Sequence, residues 1–86
     1  MKTVEEQGAR ANTVPVSYRA AIQRINRALA KDGRQLKASR GARATLDMGD
    51  FYIVDAGMNF VLEKDVDVEI LARSLGVIKP YERVDD

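Results

Sequence analysis

The sequence of 86 residues contains no cysteine, no histidine and no tryptophan, and only two prolines. Without cysteine, the chain has no disulfide to stabilise it and no thiolate to act as a nucleophile. Without histidine, it lacks the commonest general base and the commonest ligand of transition metals. Zinc sites and the serine–histidine and cysteine–histidine nucleophile systems are therefore excluded.

Long apolar segments are missing as well. No stretch approaches the ~20 residues that a helix needs to span a bilayer. The first six residues contain no apolar region of the kind found in secretory signals. We therefore expect no association with a membrane and a cytoplasmic location.

Ligand-binding and catalytic motifs are also lacking. Asp65, Asp67 and Glu69 have the spacing that opens a calcium-binding EF-hand loop. That loop needs glycine at its sixth position and a bidentate glutamate at its twelfth, where this chain has Ile70 and Gly76. An enzyme with this composition would have to use carboxylates, lysine, arginine, tyrosine and hydroxyls. The sequence does not place any of these groups at a spacing typical of a catalytic pair. We expect no catalytic residue, no metal and no cofactor.

What is present is the composition of a small globular domain, 45% hydrophobic and 31% charged. A first helix is predicted over residues 18–32. Ser17 is a good N-cap residue for it, and Gly33 supplies the residue that ends it. Apolar side chains recur along one face of this helix at Tyr18, Ile22, Ile25 and Leu29.

Three strands follow this helix. Alternating residues predict a strand over 35–40, and β-branched and aromatic residues predict the strongest strand over 51–54. A short loop then returns the chain antiparallel over 60–63. Residues 42–46 fit either a loop or another short strand. The composition of residues 47–50 predicts a turn in which Gly49 adopts a positive φ.

A second helix is predicted, capped by Asp65 or Asp67 and ended by Gly76. The order α-β-β-β-α predicts an α+β fold in which two helices pack on one face of a small antiparallel sheet. The domain organisation is a flexible tail over residues 1–15, a single domain over 16–79 and a short acidic tail over 80–86. The predicted core consists of Tyr18, Ile22, Ile25, Leu29, Phe51, Ile53, Phe60, Leu62, Val68, Leu71 and Leu75.

The charges are divided unevenly along the chain. Residues 7–46 carry nine basic side chains and one acid, whereas residues 47–86 carry ten acids and four bases. The net charge of +1 therefore hides a bipolar chain. Such a distribution bears on partners and association rather than on the fold.

The basic side chains of the first helix fall on one face. At 100° per residue, Arg24, Arg27 and Lys31 lie opposite the apolar stripe, and we call these three residues the basic ridge. The ridge fits phosphates or an acidic protein surface; alternatively, it is a solvated face whose arginines pair with the acids of the second half. The candidate partner-binding residues are Arg24, Arg27, Lys31, Arg34, Lys37, Arg40 and Arg43.

Three segments carry a resemblance to known proteins: residues 22–30, 50–55 and 75–83. They resemble short uncharacterised accessory proteins of proteobacterial phages, plasmids and integrated elements. The resemblance covers about residues 17–84 and implies no activity. It implies a context in which small inhibitors or adaptors, including CRISPR-blocking proteins, bind host machinery.

These observations predict a small non-catalytic interaction protein, an adaptor or inhibitor acting on host machinery. It would bind a protein partner through the basic ridge or through its acidic half, and the bipolar charge also permits a homodimer. The alternative is a nucleic-acid-binding protein that uses the same ridge. The element order matches the double-stranded-RNA-binding domain, but that family places lysines at the start of its second helix, where this chain has Asp65, Asp67 and Glu69.

Overall fold

The computed structural model describes residues 13–85. Within them the chain forms three α-helices and five strands, and a 3-10 turn over Ala30–Asp32 extends the first helix. In chain order the elements are β1 (Val14–Val16), α1 (Tyr18–Leu29), β2 (Arg34–Ala38), α2 (Gly41–Met48), β3 (Phe51–Asp55), β4 (Val61–Glu63), α3 (Val68–Ser74) and β5 (Glu82–Val84).

The predicted α+β class is confirmed, and the observed order contains more elements than predicted. Strands β2, β3 and β4 form an antiparallel sheet in the order β2-β3-β4. Residues 42–46, open between loop and strand in the sequence, lie inside helix α2. Strands β1 and β5 form a separate parallel pair. This pair lies at the two segments predicted as tails, of which residues 1–12 and 86 are outside the described residues.

Helix α1 begins where the sequence predicts. The Ser17 side chain accepts a hydrogen bond from the Ala20 N–H at 3.1 Å, which satisfies one free donor of the first turn. The face that packs inward is centred on Ala21, Ile25 and Leu29, which are all buried. The predicted stripe began at Tyr18, which is exposed.

The sheet places one apolar face against α1. Leu36 of β2 is paired with Ile53 of β3, and both are buried in the cluster that contains Ile25 and Leu29. Asn26 of α1 bonds the β2 backbone on its outer side. Its Oδ1 accepts from the Leu36 N–H at 2.7 Å, and its Nδ2 donates to the Leu36 carbonyl at 3.3 Å.

Helix α3 covers the remaining side of the core. Its N-cap is Asp67, whose side chain accepts from the Ile70 N–H at 2.9 Å. The helix buries Val68 and Ala72 and packs on α1. Beyond it the chain folds back, so that Ile78 is buried, as expected for an apolar residue after a glycine that ends a helix.

The turn between α2 and β3 depends on Gly49. This residue has φ +77°, and an added methyl group would lie 2.9 Å from the Asp65 Cα. The Asp65 N–H donates to the Met48 carbonyl at 2.8 Å, which holds the two segments together. The sequence prediction of a glycine with positive φ in this turn is confirmed.

The predicted core is correct at its centre and wrong at the sheet edge. Ile25, Leu29, Ile53 and Val68 are buried, and Ile22, Phe51, Leu71 and Leu75 are partly buried against them. Tyr18, Phe60 and Leu62 are exposed instead. Leu62 lies in the edge strand β4, and Phe60 directly precedes that strand. All three residues of β4 are exposed. Buried residues that the prediction left out are Val16, Ala21, Leu36, Val54, Ala72, Ile78 and Val84.

Candidate functional site

The three residues of the basic ridge lie together on the outer side of α1 and its 3-10 extension. Arg24, Arg27 and Lys31, with Ala28 and Val77, line a shallow depression between α1 and the segment after α3. Arg27 and Lys31 are exposed, whereas Arg24 is half-buried. The structure therefore brings the ridge together as a group but gives its members different environments.

Arg24 is held by the fold. One of its guanidinium nitrogens, Nη1, donates to Glu82 Oε1 at 3.1 Å and to the Val77 carbonyl at 3.3 Å. These bonds tie α1 to β5 and to the segment before it. For Arg24, the interpretation of a basic residue paired with an acid of the second half is correct.

The same contacts act on Glu82. The Lys79 backbone N–H donates to Glu82 Oε1 at 2.7 Å and is the largest cause that lowers the pKa of this carboxyl below its ordinary value. Partial burial acts in the opposite direction, and the Arg24 guanidinium then lowers the pKa further. Glu82 is thus held ionised at the junction of α1 and β5.

The other candidate basic residues have no such role. Within residues 13–85, their side chains form neither an ion pair nor a hydrogen bond. All of them are exposed except Lys37, which is half-buried. They are Arg27, Lys31, Arg34, Lys37, Arg40 and Arg43.

A second depression lies on the face of the sheet opposite α1. Lys37 is paired with Tyr52 across β2 and β3, and strand alternation points both away from the face that holds Leu36. With Arg40 and Ala44 they line this depression, and we call it the Tyr52 depression. The sequence-predicted basic residues are therefore divided between the two sides of the sheet.

The two neighbouring aromatics of β3 are separated in the same way. Phe51 packs toward the core and its ring is stacked on that of Tyr18, with centroids 5.9 Å apart. Tyr52 lines the depression on the other side. The two rings therefore lie on opposite faces of the sheet.

Four acids of the second half, Asp55, Asp67, Glu69 and Glu82, accept hydrogen bonds from backbone N–H groups. Asp55 accepts from the Gly57 and Met58 N–H groups at 2.9 and 2.8 Å, which closes the hairpin turn. Glu69 accepts from the Val84 N–H at 2.9 Å and pairs with Arg73 at 3.2 Å. These carboxylates hold backbone segments in place, whereas Asp47, Asp50, Glu63 and Asp65 are exposed and have neither an ion pair nor a side-chain hydrogen bond within residues 13–85.

Three aspartates, Asp50, Asp65 and Asp67, line a third depression beside Tyr18 and Phe51. Asp67 is already engaged as the N-cap of α3. In the part of the chain that the structure describes, no three acidic side chains lie close enough to hold a metal ion.

Sequence reasoning missed two residues that determine which surfaces are open. The Asn26 side chain binds the N–H and carbonyl of Leu36 on the outer side of β2. The sequence predicts only that Asn26 lies on the first helix. Glu82 fixes Arg24 from a segment predicted as a tail. Neither role can be read from a local pattern, because each depends on a contact with another element of the fold.

The chain matches no protein-family model, and neither a curated protein nor a solved structure is significantly similar to it. Among residues 13–85, no helix is long and apolar enough to cross a bilayer.

Proposed function

We propose that this chain is a non-catalytic interaction protein, an adaptor or inhibitor, that binds an acidic surface of a partner protein through Arg27 and Lys31. The observation that supports this is the unequal use of charge. Arg27 and Lys31 are exposed and unpaired within residues 13–85, while carboxylates such as Glu69 and Glu82 are used by the fold.

The surroundings of Arg27 and Lys31 fit a protein surface. Arg27 lies on α1 and Lys31 one turn later, in the 3-10 extension of the helix, and Ala28 and Val77 form an apolar floor beside them. A guanidinium can bind a carboxylate through two parallel hydrogen bonds, and the apolar floor can pack against the stem of the same side chain. Complementary charge of this kind increases the rate of association and fixes orientation.

The resemblance to proteins of phages, plasmids and integrated elements suggests where the partner belongs. Small proteins of such elements act on the machinery of the host cell. We accordingly propose a host protein of the cytoplasm as the partner, with its acidic patch over α1.

A second candidate function is nucleic-acid binding, and one observation favours it. The Tyr52 depression combines an aromatic ring with Lys37 and Arg40. Single-stranded nucleic acid is bound by this combination, because bases stack on the ring and cations contact the phosphates. This candidate uses a different face from the ridge, so the two functions can be separated by mutation.

The experiment compares two charge-reversal variants, Arg27→Glu/Lys31→Glu and Lys37→Glu/Arg40→Glu. The matched control is Arg19→Glu/Lys64→Glu, which changes the net charge equally at exposed basic residues that line neither depression. Arg24 is left intact in all variants because it bonds Glu82. Fluorescence anisotropy measures binding to labelled polyglutamate and to a labelled single-stranded oligonucleotide, at low and at physiological salt, and affinity capture from a host lysate follows.

If the proposal is correct, the Arg27→Glu/Lys31→Glu variant loses polyglutamate binding and the captured host protein, while the control retains both. Nucleic-acid binding instead predicts steep salt dependence with the oligonucleotide and loss in the Lys37→Glu/Arg40→Glu variant. Equal loss in the control would show that net charge alone governs binding. Identical captured proteins for the wild type and the Arg27→Glu/Lys31→Glu variant would remove α1 from the proposal.

A further inference from the structure

The Tyr52 depression differs from a depression of similar size in what its polar side chains do. Its volume is about 570 Å³, and that of the other, which is lined by residues of α3 and β5, is about 530 Å³. In the other depression, Arg73 pairs with Glu69 and Arg83 pairs with Asp85. The charged groups there already satisfy one another, which leaves little for a ligand to bind.

The polar side chains of the Tyr52 depression are not used by the fold. Gln35, Lys37, Arg40 and Tyr52 line it, and within residues 13–85 none of these side chains forms an ion pair or a hydrogen bond. A few polar groups set among apolar ones are what orients a ligand in a binding site. The apolar residues that complete the lining are Leu36, Ala38 and Ala44.

Strand geometry brings these polar groups to one face of the sheet. Gln35 and Lys37 alternate with Leu36 on β2, so both point away from α1. Lys37 lies directly opposite Tyr52, and Gln35 is the diagonal neighbour of the ring. Diagonal neighbours lie about 7–8 Å apart, within reach of long side chains. Arg40 follows the end of β2 and lines the same depression.

The charge of the depression favours an anionic ligand. Lys37 and Arg40 both line it, and no acidic residue from the described part of the chain does so. A guanidinium can bind two phosphate oxygens through parallel hydrogen bonds, and an ammonium adds a second positive charge.

The ring and the amide add chemistry that a phosphate alone does not use. An aromatic ring stacks on a nucleobase, and the edge of a stacked base is bound by hydrogen bonds. The amide of Gln35 offers both a donor and an acceptor for such an edge. The lining therefore matches a ligand that has a base at one end and a phosphate at the other.

We propose that the Tyr52 depression binds one nucleoside monophosphate unit. The base stacks on the ring of Tyr52, and the Gln35 amide bonds the edge of the base. The phosphate lies between Lys37 and Arg40. The unit is either a free nucleotide or one residue of a single-stranded nucleic acid, since both present the same groups. This inference rests on the second candidate function above and adds contacts to the base, which charge alone does not provide.

The experiment titrates the isotope-labelled protein with AMP and, separately, with ribose 5-phosphate, and follows the backbone amide signals by NMR. The two ligands share a sugar and a phosphate, and only AMP has a base. We expect AMP to shift signals of β2, β3 and the first turn of α2. We expect it to bind about tenfold more tightly than ribose 5-phosphate, because the base adds stacking.

Two variants of one residue separate stacking from packing. Tyr52→Leu keeps a bulky apolar side chain in β3 but removes the aromatic face, so its affinity for AMP should fall to that for ribose 5-phosphate. Tyr52→Phe keeps the ring and should bind AMP as the wild type does. The matched control is Tyr81→Leu, at a position that is 58% exposed and outside the depression, and it should leave both affinities unchanged.

The amide of Gln35 provides a test at an exposed position. Gln35→Leu should weaken the binding of AMP and leave that of ribose 5-phosphate unchanged, because the amide contacts only the base. This variant tests the same contact to the base if a substitution in β3 unfolds the chain.

The cations are tested with a charge-matched pair of variants. Lys37→Ala/Arg40→Ala should weaken the binding of both ligands about tenfold or more, because both carry the phosphate. Arg19→Ala/Lys64→Ala removes the same charge at exposed positions that do not line the depression and should change neither affinity.

Single-stranded oligoadenylate distinguishes the two sources of the unit. Binding that is much tighter than that of AMP identifies a residue of a strand, and equal binding identifies a free nucleotide. Either result supports the site if Tyr52→Leu weakens it.

Equal affinity of the wild type for AMP and ribose 5-phosphate would overturn the proposal, because the depression would then bind anions only. Signal shifts confined to α1 would also overturn it. Oligoadenylate binding that is lost in Lys37→Glu/Arg40→Glu and fully retained in Tyr52→Leu would refute the base site and leave the second candidate function standing. If the wild type binds neither AMP nor oligoadenylate, both fail.

Discussion

The basic segment 13–46 and the acidic segment 47–85 use their charges in different ways. In the acidic segment, Asp55, Asp67, Glu69 and Glu82 accept hydrogen bonds from backbone N–H groups. In the basic segment, Arg24 alone of the seven candidate residues has an ionic partner within residues 13–85. Helix starts and turns leave backbone N–H groups free, and carboxylates are the natural acceptors for them. These four carboxylates consequently stabilise the fold, and the other six candidate bases remain available for a partner.

The largest expected effect comes from the core that both segments share. Ile25 is completely buried among residues of α1, the sheet and α3. Ile25→Ala should lower the free energy of unfolding by about 2–5 kcal/mol, because it removes buried methyl groups and leaves a cavity. Urea unfolding followed by circular dichroism measures this. Ile70→Ala, at an exposed position on the acidic segment, is the control and should change little.

An intermediate effect is expected where the two segments meet. The pKa of Glu82 is lowered in the folded protein, so its carboxylate contributes stability that is complete above its ordinary pKa. That contribution is lost as the pH falls through the lowered pKa. Glu82→Gln should therefore be less stable than the wild type at neutral pH and equally stable at strongly acidic pH. Urea unfolding at a series of pH values measures the difference.

A difference between Glu82→Gln and wild type that does not vary with pH would contradict this account. It would mean that the charge of Glu82 is not what binds Arg24 and the Lys79 backbone.

The smallest effect on stability is expected at Arg27. Arg27→Ala should lower the free energy of unfolding by well under about 1 kcal/mol, as is usual for exposed charges, while weakening partner binding. Arg24→Ala is the matched comparison on the same helix and should be clearly more destabilising, since it removes the bonds to Glu82 and Val77. Thermal unfolding of the two variants checks the order. If Arg27→Ala is as damaging as Ile25→Ala, the ridge is structural and the proposed function loses its main residues.

The elements that sequence predicts well are those with a local signal. Helix α1 has a capping serine and a 3.6-residue period, and strand β3 has a run of β-branched and aromatic residues. The sequence does not distinguish helix α2 from a loop or strand, because the helix begins at Gly41, with φ +86°, and the side chain of its N-cap residue, Arg40, makes no capping hydrogen bond. A helix that starts without such signals gives the sequence little to show where it begins.

Short strands with distant partners were not predictable. Strands β1 and β5 have three residues each, too few to show a period of two, and they pair across almost the whole described chain. Their burial of Val16 and Val84 follows from that pairing rather than from local pattern.

The candidate site shows the same limit. The basic residues themselves could be read from the sequence. That Arg24 is used by the fold, whereas Arg27 is not, depends on Glu82, which is 58 positions away.

The parallel pairing of β1 with β5 determines how the domain responds to mechanical force. The strands are in register from Val14 with Glu82 to Val16 with Val84, so residue 13 and residue 85 lie at opposite ends of the pair. Tension applied between these two positions pulls the strands along their length in opposite directions. The hydrogen bonds between them then bear the load simultaneously, in shear, instead of opening one after another. The pair is thus a mechanical clamp, and extension of the domain along this axis begins with its abrupt rupture.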